Sequence, residues 1–158
     1  MTEANLKAAA LTRRFREIAT TRMHGLPLLH PGLEVEAVGF AWQHIGTPDC
    51  TGLLGILVTP WCMNLLWLPD DDQARPAEGE SREYRIGDER LAFLAVEDEV
   101  LGHYQSCSLF SPMFDFVDAQ SARETAVQVL SLLRRPAPPA PVDAGRRKLF
   151  GRLLGQPT

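Results

Sequence analysis

Apolar positions recur along this chain with two different periods, and the switches between them outline its elements. In residues 4–23, "ANLKAAALTRRFREIATTRM", Leu11, Phe15 and Ile18 fall on one helical stripe, with Arg13, Arg14 and Arg16 largely off it. Such a pattern, rich in helix formers, predicts an amphipathic helix. "HGLPLLHPGL" follows as a connector punctuated by Gly25, Pro27, Pro31 and Gly32. "LEVEAVGFAWQ" then alternates. Leu33, Val35, Ala37, Gly39 and Ala41 are expected on one face of a strand, and Glu34, Glu36, Val38, Phe40 and Trp42 on the other.

"GTPDCTG" carries turn residues, and the run from Leu53 to Pro69, "LLGILVTPWCMNLLWLP", is almost continuously apolar. A membrane span needs about 20 such residues. This run is shorter and holds Pro60 and Asn64 in its middle, so it reads as a hairpin with both arms buried and its turn at those two residues. "PDDDQARPAEGES" is an acidic loop broken by Pro and Gly, expected to be solvated and mobile. "REYRIGDERLAFLAVE" reads as a second hairpin turning at Gly87-Asp88. Near the end, Asp118 is placed to cap a helix, "AQSARETAVQVLSLLRR". Its inward stripe is Ala122, Ala126, Val129, Leu130 and Leu133, with Arg134 and Arg135 at the C-terminal dipole end. Helix, about five strands, helix is the order of an α+β domain: a mostly antiparallel sheet packed with an N-terminal and a C-terminal helix.

That domain is expected over residues 1–135. "PAPPAPVDAG", residues 136–145, is a semi-extended proline linker, and residues 146–158 form a basic tail too short for a core of its own. The 158 residues suit one domain, and 45% hydrophobic with 23% charged residues is ordinary for a globular protein. The net charge of −4 conceals an asymmetry. Residues 1–143 carry 12 basic and 20 acidic side chains, while the last 15 residues carry four basic ones and no acid. An acidic body excludes general nucleic-acid binding. The three cysteines lack disulfide-framework or C-x-x-C spacing, and no signal peptide opens the chain. A cytoplasmic protein with reduced thiols, not integral to a membrane, is expected.

Phosphate-cradle and nucleophile-elbow motifs are absent from the sequence. Cys107, with His103 four residues before it, is the candidate thiol nucleophile, but a Cys among Leu and Phe is more often a small buried hydrophobe. His24, His30, His44, His103 and the cysteines do not form the paired spacings of a structural zinc site, so no metal is expected. The acids at 70–72 read as solvated rather than as cation ligands. Trp61, Met63, Trp67, Phe110, Met113 and Phe114 remain, and large soft side chains of this kind either fill cores or anchor interfaces.

"LEVEAVGFAWQ", "GLLGILVTPWCMNLLWLP" and above all "GHYQSCSLFSPMFDF" resemble, in that order, the HybE/HupJ-type NiFe-hydrogenase assembly chaperones, over about residues 4–134. Cys62 departs from the pattern, where the family more often has an aromatic such as Phe. The resemblance implies a cytoplasmic α+β protein that is not an enzyme and needs no cofactor. Its implied partner is the hydrogenase small subunit precursor with its twin-arginine signal, with the large subunit and other maturation proteins as further contacts. Thr59, Pro60, Trp61, Met63 and Asn64 carry over as partner-binding residues. So do Tyr104, Ser106, Cys107, Ser108, Leu109, Phe110, Ser111, Pro112, Met113 and Phe114, expected on a fixed, irregular loop that shows its aromatics. A binder of a basic-then-apolar signal wants acids beside an apolar groove. Arg146, Arg147, Lys148, Leu149 and Phe150 look like such a signal core at the wrong end of the chain. The alternative function is a thiol-dependent redox or oxygen-protective protein using Cys107, with Cys62 or Cys50 as partner.

Overall fold

Two amphipathic stripes and one long apolar hairpin organise the molecule, and the sheet between the helices is buried on both faces where they cover it. The computed structural model describes residues 2–45, 50–70 and 76–134. Helix α1 (Glu3–Thr21) is followed by strands β1 (Glu36–Ile45), β2 (Cys50–Val58), β3 (Met63–Pro69), β4 (Ser81–Ile86), β5 (Glu89–Asp98) and β6 (Gly102–Phe110), then helix α2 (Ala119–Leu133). The strands form one antiparallel sheet in the order β1-β2-β3-β6-β5-β4. β1 and β4, at opposite edges of that order, approach each other, so the sheet curls.

The concave face holds the larger core. Trp67, Phe93, Ile56, Leu65 and Met63 pack there against the α2 stripe of Ala122, Ala126, Val129, Leu130 and Leu133, as the periodicity predicts. On the convex face, Leu11 and Phe15 of α1 pack on Val35, Leu57, Leu66 and Tyr104. Each such side chain contributes about 1.5–3 kcal/mol by leaving water. β2 and β3 thus have residues buried on both sides, which explains their continuous apolarity. Asp118 caps α2 in a reciprocal capping box with Ser121. The second hairpin turns at Gly87-Asp88, with Gly87 at φ 59°.

Four local expectations are corrected. Residues 102–110 are a sixth strand rather than an irregular loop, lying between β3 and β5 at the centre of the sheet. Their serines mark a period of two: Gln105, Cys107 and Leu109 are buried, while Ser106 is half-buried and Ser108 exposed. In β1 the strict alternation fails at a bulge between Val38 and Ala41. The extra residue reverses the facing, so Phe40 joins Ala37 against the α1 core while Val38 and Ile45 face α2. Gly39 stands in the bulge at φ 65°, where an added Cβ would meet Leu130 Cδ1 at 2.6 Å. Asn64 lies within β3, opposite Leu57; the hairpin turn is Thr59–Cys62. Finally, Arg134 does not serve its own helix end. Its guanidinium donates to Gln43 Oε1 and to the carbonyls of Gly39 and Leu54, fastening α2 to β1 and β2.

The "GTPDCTG" turn and the acidic loop each lie partly outside the described residues. Arg135, the linker at 136–145 and the tail from Arg146 lie wholly outside them. Among the described residues no helix is long and apolar enough to cross a membrane.

Candidate protein-binding site

The two long signature blocks are neighbours in the fold. β3 pairs with β6, with Met63 opposite Phe110 and Asn64 opposite Ser108, so the Thr59–Cys62 turn and residues 111–117 emerge at the same end of the sheet. Thr59, wholly buried, builds the turn: its hydroxyl accepts from the amides of Cys62 (2.9 Å) and Trp61 (3.3 Å), and its own amide donates to Cys62 O at 2.8 Å. Trp61 is half-buried and stacks on Phe15 at 6.4 Å.

His30, from the connector after α1, ties the two loops together. Its amide donates to Pro60 O at 2.9 Å, and its Nε2 lies 2.7 Å from Phe116 O. Because a carbonyl only accepts, Nε2 carries the hydrogen, which leaves Nδ1 to accept from Gly32 N at 2.9 Å. The ring also stacks on Phe114 at 6.3 Å. On these segments side chains of one character reach solvent: Phe114 (51% exposed) and Val117 (85%) after β6, and Leu26 (42%) and Leu28 (49%) in the connector. Pro60, Trp61 and Phe110 are partly exposed, and Ser111 and Pro112 exposed. These residues form the candidate apolar rim.

The expected site residues therefore divide. Pro60, Trp61, Ser108, Phe110, Ser111, Pro112 and Phe114 reach the surface to differing degrees, and Asn64 and Ser106 are half-buried. Thr59, Met63, Cys107, Leu109 and Met113 are buried on the rim's side of the strands, and Tyr104 is buried at the far end of β6. Sequence reasoning missed the organising role of His30, which it weighed only as a metal ligand.

It also missed a polar centre on α1. Arg14 occupies the same helical stripe as Leu11, Phe15 and Ile18, and its side chain is 4% exposed. Its Nε donates to Asp98 Oδ2 at 3.0 Å and its Nη2 to Asp98 Oδ1 at 3.1 Å, with Nη1 on Glu17 and Nη2 also on Glu99. Asp98 Oδ2 accepts in addition from the amides of Val100 and Leu101, closing the β5–β6 turn. Helical spacing alone places residue 14 on the buried stripe; its charge argued against it.

Thiol chemistry is poorly served. His103 lies beside Glu97 Oε1 (3.1 Å) and Gln105 Nε2 (3.3 Å), and Gln105 Oε1 accepts from Tyr84 OH at 2.7 Å, so the ring is engaged away from Cys107. Burial pushes the Cys107 thiol up to about 11 and raises that of Cys62 as well. At about pH 8 both should resist iodoacetamide in the folded protein and react promptly in denaturant. Rapid native alkylation, mapped by peptide mass spectrometry, would restore the thiol-dependent alternative. Among the described residues no group of three or more His, Cys, Asp or Glu is placed to hold a metal ion.

The fold defines a small α+β domain with an apolar rim at one end of its sheet. The family model of the NiFe-hydrogenase assembly chaperone HybE matches residues 6–152, and the chain belongs to that family. It is 42% identical over 147 residues to the hydrogenase expression/formation protein HupT of Azotobacter chroococcum, covering 92% of this chain and 95% of that one. Protein HoxT of Cupriavidus necator is 41% identical, with 90% and 87% covered. The solution structure of HybE from Escherichia coli superposes with a TM-score of 0.63 at 25% identity, covering 89% of this chain and 86% of that one.

Proposed function

We propose that this protein is a cytoplasmic, non-enzymatic chaperone that binds a hydrogenase small subunit precursor, with its twin-arginine signal, before export, using the rim formed by the Thr59–Cys62 turn, residues 111–117 and the His30 connector. One observation carries the reading: the two sequence blocks most specific to the family meet at one end of the β3–β6 pair, where Phe114 is half exposed and His30 of the connector joins them. Burying this rim in a partner supplies the apolar centre that protein interfaces need. Family membership supports hydrogenase maturation as the setting.

Phe114→Ala tests the surface. Because the ring is half exposed, the change should leave the melting temperature almost unmoved while weakening precursor binding by about 1–3 kcal/mol, or roughly 5- to 150-fold. Unchanged affinity would remove the rim from the interface. Titrating the small subunit precursor, its signal-deleted form and the large subunit in parallel tests the client. Equal binding of the precursor and the signal-deleted form would discard the signal as a determinant.

A further inference from the structure

We infer that a second site, at the opposite end of the same strands, receives the chain's own basic C-terminal segment. A groove of about 360 Å³ opens between the first half of α1 and the β5–β6 turn, lined by Ala10, Leu11, Leu68, Leu101 and Tyr104 among others. That volume lies in the range of ligand pockets and suits one or two large side chains. From Met63 to Pro69 the strand rises roughly 20 Å, so the groove lies away from the Phe114 end of the rim, while Phe15 links Tyr104 to Trp61 on the α1 face. Burial pushes the Tyr104 phenol up to about 12, so the groove floor stays uncharged there.

Acids flank the groove rather than line it: Glu97 and Glu99 keep 49% and 75% of their side chains exposed, and Glu3 keeps 66%. Each of these acids has a partner. Lys7 lines the groove, 3.9 Å from Glu3 and 5.6 Å from the Trp42 ring; His103 lies beside Glu97, Arg14 neutralises Asp98, and Arg14 and Arg22 both reach Glu99. Glu3, Glu97, Asp98 and Glu99 still outnumber Lys7, Arg14 and Arg22, and an apolar floor under a weakly negative flank suits a segment that is basic and then apolar.

The chain supplies one. Arg146, Arg147 and Lys148 precede Leu149 and Phe150, and Arg152 precedes Leu153 and Leu154, with no acid after Asp143. The family match runs to residue 152 and so takes in most of this segment. It can reach. Arg134 bonds Leu54 O, and Leu54 pairs with Trp67, two residues before Pro69 at the groove. Residues 135–145 span about 34 Å at the extended rise of a proline-rich linker, enough to round the sheet. Tethering over that distance gives an effective concentration near the millimolar range, so a weak contact is occupied most of the time. The inference is independent of which client the rim binds.

The test uses the full chain, with a nitroxide on Gly155→Cys in a Cys50→Ser background and amide signals read by NMR. Docking attenuates the signals of Ala10, Leu68 and Leu101 most strongly and spares that of Phe114. Arg146→Ala with Arg147→Ala and Leu149→Asp abolishes the effect, Glu97→Lys with Glu99→Lys reduces it, and added salt weakens it. Attenuation spread evenly over the surface, centred on Phe114, or indifferent to the tail substitutions overturns the proposal. Transfer of the attenuation to unlabelled chains in a mixed sample also overturns it, assigning the segment to a second copy.

Discussion

Asp98→Asn is expected to lower the melting temperature by roughly 3–8 °C, because the Arg14 guanidinium loses its bidentate partner and keeps only the exposed carboxylates of Glu17 and Glu99. Asparagine keeps the shape and an acceptor for the Val100 and Leu101 amides, so the loss reports the pairing with Arg14 rather than a collapsed turn. The pH dependence follows from the direction of the shift. Burial alone would push the Asp98 carboxyl up; the hydrogen bond from Arg14, the amides of Leu101 and Val100, and the Arg14 charge together hold it below its ordinary value of 3.8. Stabilisation by a depressed carboxyl is complete above the unfolded value and disappears as pH falls through the folded one. The curves of melting temperature for the native chain and Asp98→Asn should therefore converge below about pH 4. Parallel curves would mean that the pair contributes nothing specific.

Met113→Ala should destabilise the protein by about 2–5 kcal/mol, with the urea midpoint falling at unchanged slope. Met113 has no exposed surface and belongs to the concave core with Met63, Leu109 and the α2 stripe. Any loss of precursor binding in this variant should track its unfolded fraction. The neighbouring Phe114→Ala should do the reverse, weakening binding while leaving the fold intact. Stability data on these adjacent positions separate the floor of the signature from its surface. A Met113→Ala protein that melts like the native chain would overturn this assignment.

Much of the architecture was legible from periodicity. The α2 stripe, the Asp118 cap, the hairpin turn at Gly87-Asp88 and the double burial of β2 and β3 each depend on local pattern and turn chemistry, which a single chain displays openly. The family, too, was readable, because the blocks around Thr59 and Tyr104 are long and unusual.

Other features depended on which element lies opposite. The run from His103 to Phe116 has the serines and proline of a loop, yet lying between β3 and β5 turns its first half into a central strand, since residues up to Ser106 pair with β5 and those from Gln105 with β3. Composition could not divide Met113 from Phe114, because one apolar side chain is as fit as another until a helix covers one of them. Arg14 looked like surface charge until the β5–β6 turn brought Asp98 to it. The sequence by itself determined both helices, the first five strands and the kinship. Only the tertiary structure decided that residues 102–110 are a strand, which aromatics face solvent, which charge is buried, and that the Phe114 rim and the groove beside the β5–β6 turn stand at opposite ends of one strand pair, because burial and pairing are properties of neighbours distant in the chain.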